Sequence, residues 1–138
     1  MSNLHEVISI EKEHIEKTLE VLQEALDRTN ITYVELSAIG ANLHHCYSGM
    51  ENIIKRILKA RNISVPSSSS SHKDLLVMST QQGIISEELL NRLDKFRGFR
   101  HFFVHAYGIL LNEDELMPLA EVLPEVWEQF VAEIETII

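Results

Sequence analysis

Between Leu36 and Ala60 the apolar residues Leu36, Ile39, Leu43, Cys46, Met50, Ile53, Ile57 and Ala60 fall alternately three and four positions apart. On an α-helix that spacing closes one continuous apolar stripe, whereas on a strand the same residues would scatter over both faces. A seam kept up for this long has to be covered by other helices. It is the pattern of an antiparallel bundle or a helical dimer. Just ahead of it, Thr32-Tyr-Val-Glu35 has the capping-box form that starts a helix.

The rest of the chain agrees with this seam. Leu4, Ile8, Ile15, Leu19, Leu22 and Leu26 predict a long amphipathic helix over 4–28, with Ser2 or Asn3 as its cap. Val65-Pro66 and the serines Ser67 to Ser71 break the pattern, and Ser71-His-Lys-Asp74 resembles a helix start. A short helix through Leu75, Leu76, Met78 and Ser79 should end at Gly83, a residue suited to a left-handed cap. Ser86-Glu-Glu opens a fourth helix, with Leu89, Leu93, Phe96 and Phe103 toward the core and its end at Gly108. Gly98 within it costs about 1 kcal/mol relative to alanine and predicts a close approach by a crossing helix or a substrate backbone. Asn112-Glu-Asp-Glu115 caps the last segment, where Pro118 and Pro124 argue against a single straight helix. No strand pattern and no internal repeat is present. The reading is all-α: one domain over 1–138, an antiparallel bundle of four to five helices.

With 138 residues the chain is large enough for one core and too small to need two. A single cysteine, Cys46, rules out an intramolecular disulfide and fits a reducing, cytoplasmic setting. The first residues have neither a basic flank nor an apolar run, so a secretion signal is not expected, and no stretch approaches the length of a membrane span. The net charge of −9 is unevenly spread. Residues 1–28 carry three basic and seven acidic groups, residues 112–138 carry eight acidic and no basic ones, and the middle holds nine basic against six acidic. Arg92, Lys95, Arg97 and Arg100 therefore form a local basic region in an acidic body. Such a region fits transient contact with a phosphate chain better than packaging of nucleic acid.

The densest polar chemistry lies in Arg97-Gly-Phe-Arg100-His101-Phe-Phe-Val-His105-Ala-Tyr107-Gly108. A permanent cation, an imidazole and a phenol stand within about two turns. At about 100° per residue, Arg100 and Tyr107 are nearly in register, His105 points roughly 140° from Arg100, and His101 shares a face with His105. Arg100 and His105 meet on one group only if the arginine sweeps round, the helix distorts, or a second copy completes the site. On composition alone the set reads as a solvated stripe or an interface edge. His44-His45-Cys46 does not make a zinc site, because neighbours on a helix diverge by about 100°. His101 and His105 lack the further ligands of a metallohydrolase helix, so no metal or other cofactor is expected. Glu51 reads either as a partner orienting an Arg or His, or as a surface acid.

Phe99-Arg100-His101-Phe102-Phe103-Val104-His105-Ala106-Tyr107-Gly108 resembles the Arg-X4-His-X-Tyr motif of the HepT-like toxins, a branch of the HEPN ribonuclease superfamily. The resemblance extends to Tyr47-Ser-Gly-Met-Glu51-Asn-Ile-Ile-Lys and to the serine-rich entry into His72-Lys-Asp-Leu-Leu, with segment order kept over nearly the whole chain. Members often carry Asn or Asp after the arginine, where this chain has His101. The resemblance implies a two-fold homodimer and a metal-independent endoribonuclease. Arg100 and His105 would be its catalytic pair, with His101, Arg97 and Glu51 in support. It also implies that Tyr107 accepts adenylyl groups from a minimal nucleotidyltransferase antitoxin. A non-enzymatic reading stands beside it, a helical interaction or nucleotide-binding subunit in which Arg100 and His105 bind only the partner.

Overall fold

This computed structural model describes residues 2–65, 71–105 and 113–138; of residues 2 and 102–105 the backbone alone is described. Five helices follow in order, α1 (Ser2–Leu26), α2 (Tyr33–Ala60), α3 (Ser71–Gln81), α4 (Glu87–His105) and α5 (Glu113–Glu135). Among the described residues there is no strand.

The centre of the bundle is α2, which packs on α1, α3, α4 and α5. Six of its eight seam residues are buried, Ile39, Leu43, Cys46, Met50, Ile53 and Ile57, while Leu36 is half-buried and Ala60 exposed. Surrounded by four neighbours, α2 buries more than a seam: Tyr47, Ile54 and Leu58 are also in the core, as is Glu51. Its start is the expected capping box. The Thr32 N–H donates to Glu35 Oε1 at 2.7 Å, and Thr32 Oγ1 accepts from the Val34 N–H at 3.2 Å. The Thr32 hydroxyl bond, reinforced by that N–H, holds the Glu35 carboxyl below the usual carboxylate range. At the other end Asn62 adopts φ 61°, a left-handed turn that lets the Ile63 N–H bond the Leu58 carbonyl at 2.9 Å.

Gly49 is where α1 comes closest. A Cβ there would stand 2.6 and 2.7 Å from Cγ1 and Cδ1 of Ile15. Helix α1 presents Ile8, Ile15 and Leu22 to this contact and already includes Ser2 and Asn3, so neither is its cap. Gly83 (φ 72°) takes the left-handed position after α3, as its sequence place predicts. The Ser86 hydroxyl accepts from the Leu89 N–H at 3.1 Å, capping α4, and Ser86 in turn donates to both carboxylate oxygens of Glu133 on α5 at 2.6 and 2.7 Å.

Two further expectations are corrected. No crossing helix approaches Gly98, since a Cβ there meets nothing within 4 Å among the described residues. And α5 runs as one helix through Pro118 and Pro124. Each proline costs about 3 kcal/mol. Both lie on exposed positions, while Leu116, Ala120, Leu123, Val126, Trp127, Phe130 and Ile134 bury one face, at roughly 1.5–3 kcal/mol for each large side chain. The predicted cap at Asn112, the end at Gly108 and the loop serines Ser67 to Ser70 lie outside the described residues.

Candidate functional site

Leu89, Leu93 and Phe96 are buried at spacings of four and three, and the next step of four along that stripe is Arg100. Helix α4 thus places a guanidinium where the helical repeat calls for a core residue. The Arg100 Nε atom is buried with no hydrogen-bond partner among the described residues. An uncompensated buried donor costs about 1–3 kcal/mol, so its persistence points to a use outside the fold.

Facing it, α2 lines up His44, Tyr47 and Glu51 at i, i+3 and i+7. The Tyr47 hydroxyl is buried and makes no hydrogen bond of good geometry. Its pKa is pushed up by burial and then by the Glu51 carboxylate, against the opposing pull of Arg97 and Arg100. Burial, and after it the Arg100 charge, keep the half-buried His44 below the ordinary histidine value, so it is largely neutral at pH 7. Glu51 is only 3% exposed, which removes the surface-acid alternative. Both of its oxygens lie against His72 Nδ1 of α3, at 3.0 and 2.9 Å. Arg97 is tied to Asp94 at 2.6 Å, a bond that raises its pKa, and it also feels Tyr47 and Glu51.

The described structure therefore brings Arg100, Arg97 and Glu51 together where α2, α3 and α4 meet, with His44, Tyr47 and His72 added. His101 is exposed. Helix α4 is unbroken through His105, so no distortion between Arg100 and His105 reduces their divergence of about 140°. The His105 side chain and all of Tyr107 lie outside the described residues. The basic region is narrower than the sequence implies. Arg92 is held by Gln129 at 2.6 Å and Glu125 at 3.3 Å of α5, whereas Lys95 is exposed. Cys46 is buried, which raises its thiol pKa to about 12, while its neighbour His45 is exposed. Among the described residues no three His, Cys, Asp or Glu side chains converge as a metal site would require.

His72 is a polar residue that the sequence places at a helix start and in the family resemblance, without a role in the site. Its pairing crosses 21 positions and the serine stretch, so helical periodicity carries no trace of it. The family model described as HepT-like protein matches residues 38–138, which span α2 to α5. The chain is a HepT-like protein. Its fold is shared with solved structures at low identity. One is a toxin–antitoxin crystallised with AMP-PNP: TM-score 0.82, 22% identity, 95% of this chain and 98% of that one covered. A second is a tri-AMPylated Shewanella oneidensis HEPN toxin in complex with MNT antitoxin: TM-score 0.81, 23% identity, 94% and 97% covered. A third is the cytosolic protein of unknown function YutE from Bacillus subtilis: TM-score 0.66, 18% identity, 90% and 87% covered. No curated protein matches this HepT-like chain. None of its described helices is long and apolar enough to cross a membrane.

Proposed function

We propose that this HepT-like chain is the toxin of a toxin–antitoxin pair, a metal-independent endoribonuclease acting as a two-fold homodimer. The observation that carries the reading is the Arg100 guanidinium set on the core line of α4 with its buried Nε unbonded, five residues ahead of His105 in the Arg100-X4-His105-X-Tyr107 motif. RNA contains its own nucleophile, the 2′-hydroxyl beside the phosphorus, so cleavage needs proton transfer and charge stabilisation. Arg100 meets the phosphoryl oxygens as negative charge builds, and His105 transfers a proton near neutral pH. Because α4 is continuous, the divergence of the two residues is met by a second copy whose α4 lies across the cleft.

The partner is a minimal nucleotidyltransferase antitoxin that adenylylates Tyr107. A structural neighbour is itself an AMPylated HEPN toxin bound to an MNT antitoxin, which supports this assignment. Each AMP adds bulk and negative charge to a site that holds a phosphodiester, and so excludes RNA by sterics and repulsion. Purified protein free of partner, incubated with transfer RNA and excess chelator, should give fragments ending in cyclic phosphate, and His105→Ala should give none while staying helical. Cleavage that survives His105→Ala refutes the assignment; absence of cleavage by the wild type favours the non-catalytic interaction subunit. Coexpression with the antitoxin should raise the intact mass by AMP units that map to Tyr107.

A further inference from the structure

Cleavage by the 2′-hydroxyl requires two proton transfers, one from the nucleophile and one to the leaving 5′-oxygen. The defined positions of the Arg100-X4-His105-X-Tyr107 motif bring one imidazole per chain and no second one. Helix α3 does supply one. His72 Nδ1 lies 2.9 and 3.0 Å from the two oxygens of a Glu51 that is buried and fixed on the central helix. A carboxylate accepts and cannot donate, so Nδ1 carries the hydrogen and, in the neutral ring, Nε2 is the nitrogen with the lone pair. Among the described residues nothing bonds Nε2, and the side chain remains 32% exposed. A carboxylate behind an imidazole with the far nitrogen open is the arrangement that fixes the tautomer and orientation of histidine bases.

The pair shares two neighbours with the guanidinium. The Tyr47 hydroxyl senses Glu51, Arg97 and Arg100 together, and His44 senses Arg100, Glu51 and His72 together. The charged and titratable groups of this neighbourhood are thus His44, Tyr47 and Glu51 from α2, Arg97 and Arg100 from α4, and Lys73 and Asp74 beside His72 on α3. With 32% of its side chain exposed, His72 is not sealed into the packing of α2 on α3.

Resting on the ribonuclease reading above, we propose that His72, oriented by Glu51, is the general base of the site, and that His105 is left to act as the acid. His72 Nε2 takes the 2′-hydroxyl proton as the 2′-oxygen bonds to phosphorus. The bond from phosphorus to the 5′-oxygen breaks, and protonated His105 gives its proton to that oxygen. The products are a 2′,3′-cyclic phosphate and a free 5′-hydroxyl, with one proton moved on to His72 and one off His105. Glu51 touches no substrate and is a positioning residue.

His72→Asn tests this, because the Asn amide can still donate to Glu51 but cannot titrate. Cleavage of transfer RNA in chelator should fall about 10²–10⁴-fold in kcat, with KM within about threefold, and the acidic limb of the pH profile should vanish. Glu51→Ala should lower kcat with that limb kept, and Glu51→Gln, whose amide oxygen can still accept from Nδ1, should restore most of the loss. A structural tie would lower the melting temperature and leave the limb unmoved in His72→Asn. Wild-type cleavage with an unaltered rate and both limbs kept in His72→Asn would overturn this inference alone; a wild type that does not cleave overturns the ribonuclease reading and this inference with it.

Discussion

Arg100→Met should make the protein more stable and less active. The Arg100 Nε donor is buried and unbonded, a cost of about 1–3 kcal/mol that an unbranched thioether does not incur. Some of that gain is lost with the half-exposed cation itself, about 0.5–1 kcal/mol for a screened charge among oppositely charged groups. The net expectation is about 0.5–2 kcal/mol in favour of the variant. With an unfolding entropy of about 2.1 cal/mol/K per residue, a chain of 138 residues gains about 3.5 °C per kcal/mol, or roughly 2–7 °C. Thermal scanning and urea unfolding of both proteins measure it, with equal m-values showing that stability and not compactness changed. RNA cleavage should drop about 10²–10³-fold, the usual effect of losing one donor to developing charge. A melting temperature lowered by several degrees would refute the reasoning, for Arg100 would then be a cation the fold depends on. Sites that trade stability for chemistry show the opposite.

Gly98→Ala should raise stability by about 1 kcal/mol, since the position is exposed, helical and open around an added Cβ; loss of cleavage without loss of stability would show that a substrate or second copy needs that space. Gly49→Ala places a Cβ against Ile15 and should cost about 0–2 kcal/mol, overpacking set against helix propensity, yet become stabilising by about 1 kcal/mol in an Ile15→Ala background; additivity in that cycle would contradict the contact. Because His44 binds its proton less readily folded than unfolded, stability should decline as the pH drops from about 6.5 through the lowered folded-state value; in His44→Gln denaturation curves that part of the decline should be missing.

The bundle was legible because each helix obeys a local rule. The three-and-four spacing of Leu36 to Ala60 identifies α2, Thr32 and Glu35 fix its start, and Gly83 fixes the end of α3. Of the candidate site, Arg100 was singled out by the motif, but the burial of its Nε was not legible. A guanidinium on an apolar stripe reads equally well as a snorkelling edge residue until α2 is placed against it. Glu51 and His72 were harder still, being turned toward each other by the packing of α2 on α3 and by nothing within either helix. The continuity of α5 was misjudged for a related reason, since the weight of its buried face is visible only once the neighbours that cover it are in place.

The position of α2 among all the other helices has a dynamic corollary. Tyr47 and Glu51 project from the rod on which the entire hydrophobic interior is assembled. Amide exchange along residues 43–54 should accordingly be governed by opening of the whole molecule, without a cheaper local route. A regulator of such a protein gains little by loosening the rod that carries these side chains; covering them is the economical strategy.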